Sequence, residues 1–384
     1  MGELDEVRVL DLTRALAGPF CTMVLGDMGA EVIKVEMPGT GDDSRSWGPP
    51  FLEGESAYFL SINRNKKSVT LNLKAEEGLK ILHGLAEKSD VFIENFRPGV
   101  TKKLRIDYET ISEINPKIVY CSITGFGSEG PYRDRPGFDV IIQGMSGLMG
   151  VTGEEGRPPV KVGVAITDLI AGLYAVNAVL IGLLRQRRTG EGQLVDVSLL
   201  DSAASIMTHM AHICLAGGEA PPRLGSAHPQ IAPYQAFEAK GGKYLTVGAA
   251  NERLWRIFCE AAGLEELIDH PKFSVNAKRV ENREELVKII QERLLTKTRD
   301  EWLEIFQGAG LPCGPVYGLD EVFEDPQIAY RGMILEMDHP KAGKIKQIGI
   351  PTKFSKSPGS IRSPPPTLGQ HTEEVLRDLL GFDR

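Results

Sequence analysis

Apolar and polar positions alternate in short blocks over the first third of the chain. VRVLDL (Val7–Leu12) is a compact apolar run, and Gly18–Met28 then repeats apolar residues at helical spacing. The same reading predicts strands at Glu31–Glu36, Ser68–Leu73, Asp90–Asn95 and Lys117–Ile123. Between them, Leu79, Leu82 and Leu85 give Glu76–Lys88 a helical stripe, and a further helix falls near Tyr108–Asn115. Parallel strands need a crossover, so this alternation predicts an α/β fold on a parallel sheet.

Further on, Asp168–Arg187 reads as one long helix, apolar almost all round and therefore central and buried. Its apolar stretch, Leu169–Leu184, is short for a membrane span. RTGEGQ is a turn, LVDVSL a strand, and Leu199–Leu215 another helix. The breaker-rich stretch Ala216–Pro229 marks a domain boundary. Beyond it, PYQAFEA and KYLTVGA predict a hairpin, and charged amphipathic helices run from Glu252 to about Gln307. PCGPVYGLDEVFEDP is expected to begin a return segment. The tail SKSPGSIRSPPPTLGQ is extended, either mobile or crossing a partner surface, and His371–Leu380 closes as a helix.

Composition narrows the function. Lys and Arg number 44 against 52 Asp and Glu, a net charge of −8. That balance argues against a nucleic-acid binder, and an anionic ligand would need a local basic pocket. Five scattered cysteines without a C-x-x-C pair suit reduced thiols in the cytoplasm rather than disulfides or zinc. The acidic N-terminal segment enters a strand at once, which gives no sign of a signal peptide or membrane anchor.

Several motifs carry candidate chemistry. GFGSEG (Gly125–Gly130) fits G-x-G-x-x-G, but Pro131-Tyr132-Arg133-Asp134 follows where a dinucleotide fingerprint needs a helix start. His209 and His212 share a helix face without a third ligand nearby, so helix histidines outweigh a metal site. Asp168 opens an apolar helix. It is either a plain N-cap or a semi-buried carboxylate held ionised by N–H groups and available as a nucleophile. Arg97, Lys102, Lys103 and Arg105 form either a solvated basic face or a phosphate-binding patch.

VLDLTRALAGPF, GDMGAEVIKVE, NRNKKSVTLNLK, DVFIENFRPGV, SITGFGSEGPYRDRPGFDVIIQGMSGLM, AITDLIAGLYA, RTGEGQLVDVSLLD, APYQAF, GLPCGPV and LGQHTEEVL occur in that order. Together they resemble the class III coenzyme A transferases, the CaiB/BaiF family that includes formyl-CoA:oxalate transferase. The resemblance implies a large Rossmann-like CoA-binding domain from residues 1–220 and 330–384, a smaller α+β domain at 225–325, and an interlocked homodimer. It places the nucleophile on Asp168, working through aspartyl anhydride and aspartyl-CoA intermediates. CoA enters as a substrate, with no tightly bound cofactor and no metal. The family's CoA contacts fall on Arg14, Ala15, Leu16, Ala17, Leu71, Asn72, Leu73, Lys74, Asn95, Phe96, Arg97, Lys103, Phe138 and Asp139, with Arg97 and Lys103 as phosphate partners.

Departures refine the expectation. Leu16 and Met37 stand where the oxalate enzyme has glutamine and arginine, and its glycine-run loop is absent here, which argues against formyl and oxalate. The family's racemase branch uses a histidine where this chain has Phe138, and phenylalanine cannot be a base. A non-catalytic CoA-binding protein is disfavoured by Asp168. The later half, with GSAHPQIAPYQAF, ELIDHPKF, NREELVKIIQERL, VFEDPQI, LEMDHPKAGKI and PPPTLGQHT, resembles the branch that moves CoA from succinyl-CoA to dicarboxylic acids. A distal carboxylate needs a cation or N–H cluster, for which Arg14 and His228 are candidates.

Overall fold

The computed structural model describes residues 2–382. Met1, Asp383 and Arg384, the outer ends of the expected large domain, lie outside the described residues. The chain forms two compact units. The first comprises Met1–Leu148, Lys161–Thr208 and Pro326–Arg384, and the second Met149–Val160 and His209–Asp325. The chain thus parts at His209, before the glycine- and proline-rich stretch from Ala216. That stretch and residues 149–160 belong together, joined by a bridge between Glu154 and Leu224.

Six strands build the main sheet of the first unit: β1 (Arg8–Asp11), β2 (Glu31–Glu36), β3 (Lys66–Thr70), β4 (Val91–Glu94), β5 (Val119–Thr124) and β6 (Gln193–Ser198). Their order is β3-β2-β1-β4-β5-β6, and every pairing is parallel. This is the doubly wound Rossmann-like arrangement, in which the strand order reverses between β1 and β4.

The side chains alternate across the sheet. Val9, Val32, Val91 and Val119 face α1 (Ala17–Asp27) and a long later helix, while Leu10, Ile33, Val69 and Phe92 face α2 (Glu76–Glu87) and α3 (Tyr108–Ile114). Both faces are covered, so the strands read as continuous apolar runs. The third strand starts two residues earlier than its apolar pattern suggested. Its first residue, Lys66, is a buried lysine, which in sequence looks like a loop residue.

After β5 come α4 (Asp139–Met145) and α5 (Ile166–Thr189). The 24-residue α5 is longer than its apolar stretch implied, and is long and apolar enough to cross a membrane by length and composition. It is not buried all round. Ala171, Ala175, Val179 and Leu183 pack on the sheet, whereas Leu173, Tyr174, Ile181 and Leu184 are exposed in the single chain. The expected helix Leu199–Leu215 is broken into Leu199–Ser205 and Thr208–Leu215, the second opening on Thr208 at φ 37°.

The second unit holds a three-stranded antiparallel sheet, Cys313–Pro315, Tyr244–Gly248 and Tyr234–Glu238. Amphipathic helices cover it, and Trp255, Phe258, Trp302 and Phe306 fill its core. PCGPV therefore completes this sheet rather than starting the return, which begins at Pro326. The proline-rich tail is not loose. Asn65 accepts from the Arg362 and Ser363 amides and donates to the Ser360 carbonyl, so the tail is strapped to its own first unit.

Candidate active site

A cleft of about 700 Å³ opens at the carboxyl ends of all six strands. Leu12, Met37, Leu71, Asn95, Gly125 and Leu199, each following one strand, all line it. Its centre is the switch point between β1 and β4, where ligands bind in open α/β sheets. There Asn95 clasps the neighbouring turn. Its Oδ1 accepts from the Arg14 amide at 2.9 Å and its Nδ2 donates to the Arg14 carbonyl at 2.8 Å.

Asp168 faces this cleft from the third position of α5, whose N-cap is Ala165. It is therefore not the N-cap, and no hydrogen bond reaches its carboxylate among the described residues. The expectation that N–H groups hold it ionised is corrected. Burial, and secondarily the charge of Asp139, push its pKa up to about 7. Asp139 does not line the cleft. Its Oδ1 accepts from the Thr167 amide at 3.0 Å and hydroxyl at 2.8 Å, and its Oδ2 from Gln143 at 2.8 Å. Asp139 thus pins the first turn of α5 from behind and bears on the cleft through its charge, which acts on Asp168 and Tyr58.

Three glycines bring the walls together. A Cβ on Gly172, one turn after Asp168, would stand 2.7 Å from the Ala17 carbonyl oxygen. Glycine there lets α5 lie directly on the start of α1. Leu16 then packs in a small apolar cluster with Ala165 and Leu169, on either side of Asp168. Gly125 and Gly137 pass so close that a Cβ on either would meet the other's backbone at 2.6 Å. This pinch closes the base of the glycine-rich loop, and no helix follows until α4.

Arg14, Ala15, Leu16, Ala17, Leu71, Asn72, Leu73, Lys74, Asn95, Phe96, Arg97, Lys103 and Phe138 all line the cleft. Lys102 does not, and Arg105 turns to Glu76. Sequence reasoning missed Trp47, Tyr58 and Arg133. Trp47 and Tyr58 meet edge-on at 4.9 Å, and burial, then Asp168, lift the Tyr58 phenol to about 12. A wide aromatic beside the breakers GPP was the available signal for Trp47. Six cations, Arg14, Lys74, Arg97, Lys103, Arg133 and Arg135, line the cleft against Glu36, Asp43 and Asp168. The acidic protein thus carries the local basic pocket that an anionic ligand needs.

His228 lies in the second unit and is not among the cleft residues. Its ring stacks on His209 at 5.4 Å, and its carbonyl accepts from Arg283. Among the described residues no group of three or more His, Cys, Asp or Glu is arranged to hold a metal.

CoA-transferase family III, as a sequence profile, matches residues 4–372. The chain belongs to this family. Among its relatives, the succinyl-CoA:glutarate CoA-transferase of Mus musculus is 49% identical over the whole of this chain and 88% of its own length. The succinate–glutarate CoA-transferase of Agrobacterium fabrum is 39% identical, covering 99% of this chain and 96% of its own. A CaiB/BaiF family protein from Brucella suis, of known crystal structure, superposes with a TM-score of 0.89 at 40% identity, covering 98% and 99% of the two chains. As a member of the family, the protein is a CoA-transferase.

Proposed function

We propose that this protein moves coenzyme A from succinyl-CoA to a dicarboxylic acid such as glutarate, with Asp168 as the nucleophile. The observation that carries the reading is one carboxylate, Asp168, half-buried in a cation-lined cleft at the sheet's switch point. The names of the relatives support the substrate pair.

An Asp168 oxygen attacks the thioester carbonyl carbon, the C–S bond breaks, and CoA leaves as the thiolate. The resulting mixed anhydride is attacked by that thiolate at the Asp168 carbonyl. Its C–O bond breaks, succinate departs, and Asp168 is left as a CoA thioester. The acceptor carboxylate attacks this thioester, its C–S bond breaks, the CoA thiolate leaves and a second anhydride forms. The thiolate then attacks the acceptor's acyl carbon, which frees Asp168 and releases the new acyl-CoA. The acyl group stays activated, as thioester or anhydride, at each exchange, so no ATP and no further cofactor are needed.

Arg97, Lys103 and Lys74 are assigned to the CoA phosphates and Arg14 to the acceptor's distal carboxylate. The Arg14 guanidinium lies 5.6 Å from the Phe96 ring and 4.0 Å from Asp43, held at the cleft wall but not neutralised by a close ion pair. His228 is the second candidate for that carboxylate. The assembly we propose is the interlocked homodimer, in which a partner covers the exposed α5 stripe. The racemase reading loses support because no histidine lines the cleft and Phe138 precedes Asp139.

The test is Asp168→Ala with succinyl-CoA and glutarate. Loss of exchange with CoA binding retained is expected, and hydroxylamine should trap the wild-type acyl enzyme at Asp168. Substantial turnover by the variant would overturn the nucleophile.

A further inference from the structure

The turn between β1 and α1 is held by side chains at five of its backbone polar groups. The Thr13 amide donates to Asp11, and the Thr13 carbonyl accepts from Lys34 Nζ at 2.7 Å. Asn95 takes both polar groups of Arg14. The Ala15 amide donates to Asp42 Oδ1 at 3.1 Å. Asp42 also accepts from the Ser44 amide and hydroxyl, and its Oδ2 lies 2.8 Å from Lys34 Nζ. Both side chains of that ion pair are fully buried. Against the upward push of burial, Lys34 and the Ser44 bonds hold Asp42 at about 2.

A buried ion pair is weak evidence for stability, because desolvation offsets the attraction. This one has a local conformational task. Ala15 stands at φ 65°, a left-handed conformation that is strained for a residue with a Cβ. Ala17 begins α1 two residues later, no side chain caps that helix, and its carbonyl lies against Gly172 of α5. A relaxation at Ala15 would therefore shift the start of α1 against the turn that carries Asp168.

We propose that Asp42, anchored by Lys34, is a positioning residue that holds Ala15 left-handed and so sets Leu16 and Ala17 in register with Asp168 for acyl transfer. The inference rests on Asp168 being the nucleophile. Asp42 does not line the cleft and makes no hydrogen bond to Asp168, so its removal should act on kcat more than on the KM for succinyl-CoA.

A double-mutant cycle tests this with Asp42→Ala, Ala15→Gly and the pair together. Glycine adopts positive φ without strain, so it needs no such hook. Asp42→Ala should lower kcat roughly 10–100-fold, because small misplacements are costly in acyl transfer. In the Ala15→Gly background the same change should lower kcat by less than about threefold. An equal loss in both backgrounds, or an unchanged kcat in Asp42→Ala, overturns the proposal. If Asp42→Ala does not fold, Ala15→Val opposes positive φ with the ion pair intact. It must then lower kcat at saturating succinyl-CoA, and an unchanged kcat overturns the proposal. A wild-type protein without CoA exchange, or a fully active Asp168→Ala, would fail the underlying reading instead.

Discussion

At Asp168 the folded protein raises a carboxyl pKa from 3.8 to about 7. Between those values the folded chain keeps a proton that the unfolded chain has lost, so this group's contribution to stability falls as pH rises through the window. Asp168→Asn stays neutral throughout. It should be more stable than the wild type at pH 8, by roughly 1–3 kcal/mol after allowing for solvent screening. The gap should close toward pH 4, as measured by urea unfolding at both pH values. The same shift governs rate. Attack needs the carboxylate, so kcat should climb through about pH 7. Asp139→Asn removes the lesser cause of the shift, leaving burial, and should move that limb down by roughly half a unit to one unit. A pH–rate profile with no ionisation between 5 and 8, or no movement in the variant, would contradict this.

The elements turn on how closely α5 approaches its neighbours. Gly172→Val must push α5 away from the Ala17 carbonyl and from Phe20, both within 3.1 Å of the added Cβ. Overpacking of this kind costs about 1–3 kcal/mol, and here it should also lower kcat roughly tenfold. Gly182 is the control. Its added Cβ would meet the Val119 side chain at 2.6 Å, ten residues along the same helix. Gly182→Ala should lower the melting temperature with far less effect on kcat, and equal kinetic losses in both would refute the role given to Gly172.

Much of this scale was legible in advance. Val7–Leu12 and Glu31–Glu36 read as strands because strands buried on both faces are apolar runs. The charges inside the fold were not legible. Lys34 pairs with Asp42, and Lys66 with Asp11, across distances in sequence that no periodicity reports. Asp168 itself was marked by the family resemblance and by its apolar flanks. The absence of N–H partners on its carboxylate depended on Ala165, not Asp168, becoming the cap.

For the whole molecule, the net charge of −8 hides a cleft lined by six cations. Binding of succinyl-CoA should therefore weaken with salt. Its KM should rise several-fold between about 50 and 500 mM ionic strength, since exposed charges are screened within about 10 Å at 0.1 M. The exposed stripe Leu173, Ile181 and Leu184 on α5 bears on assembly. Ile181→Asp with Leu184→Asp should abolish the proposed dimer in light scattering, and a wild-type monomer would show that the stripe has another purpose. PCGPV, with two prolines and a glycine, reads in sequence as a connection although it forms a strand.

The strapped tail has a further consequence, for the order in which the protein is made. β3 is an outer strand of the sheet, and its free side is met by the end of the chain. The Ser68 carbonyl accepts from the His371 amide, the Ser68 amide donates to the His371 ring, and the Thr70 amide donates to Thr372. A ribosome finishes all six strands by Ser198 and then translates His209–Asp325 of the second unit before these residues emerge. Throughout that interval the β3 edge is open to other nascent chains, the circumstance in which strand edges template aggregation. A chain stopped at residue 358 should accordingly have its six strands but accumulate as insoluble protein. Supplying residues 359–382 as a separate peptide during refolding should restore part of the soluble yield.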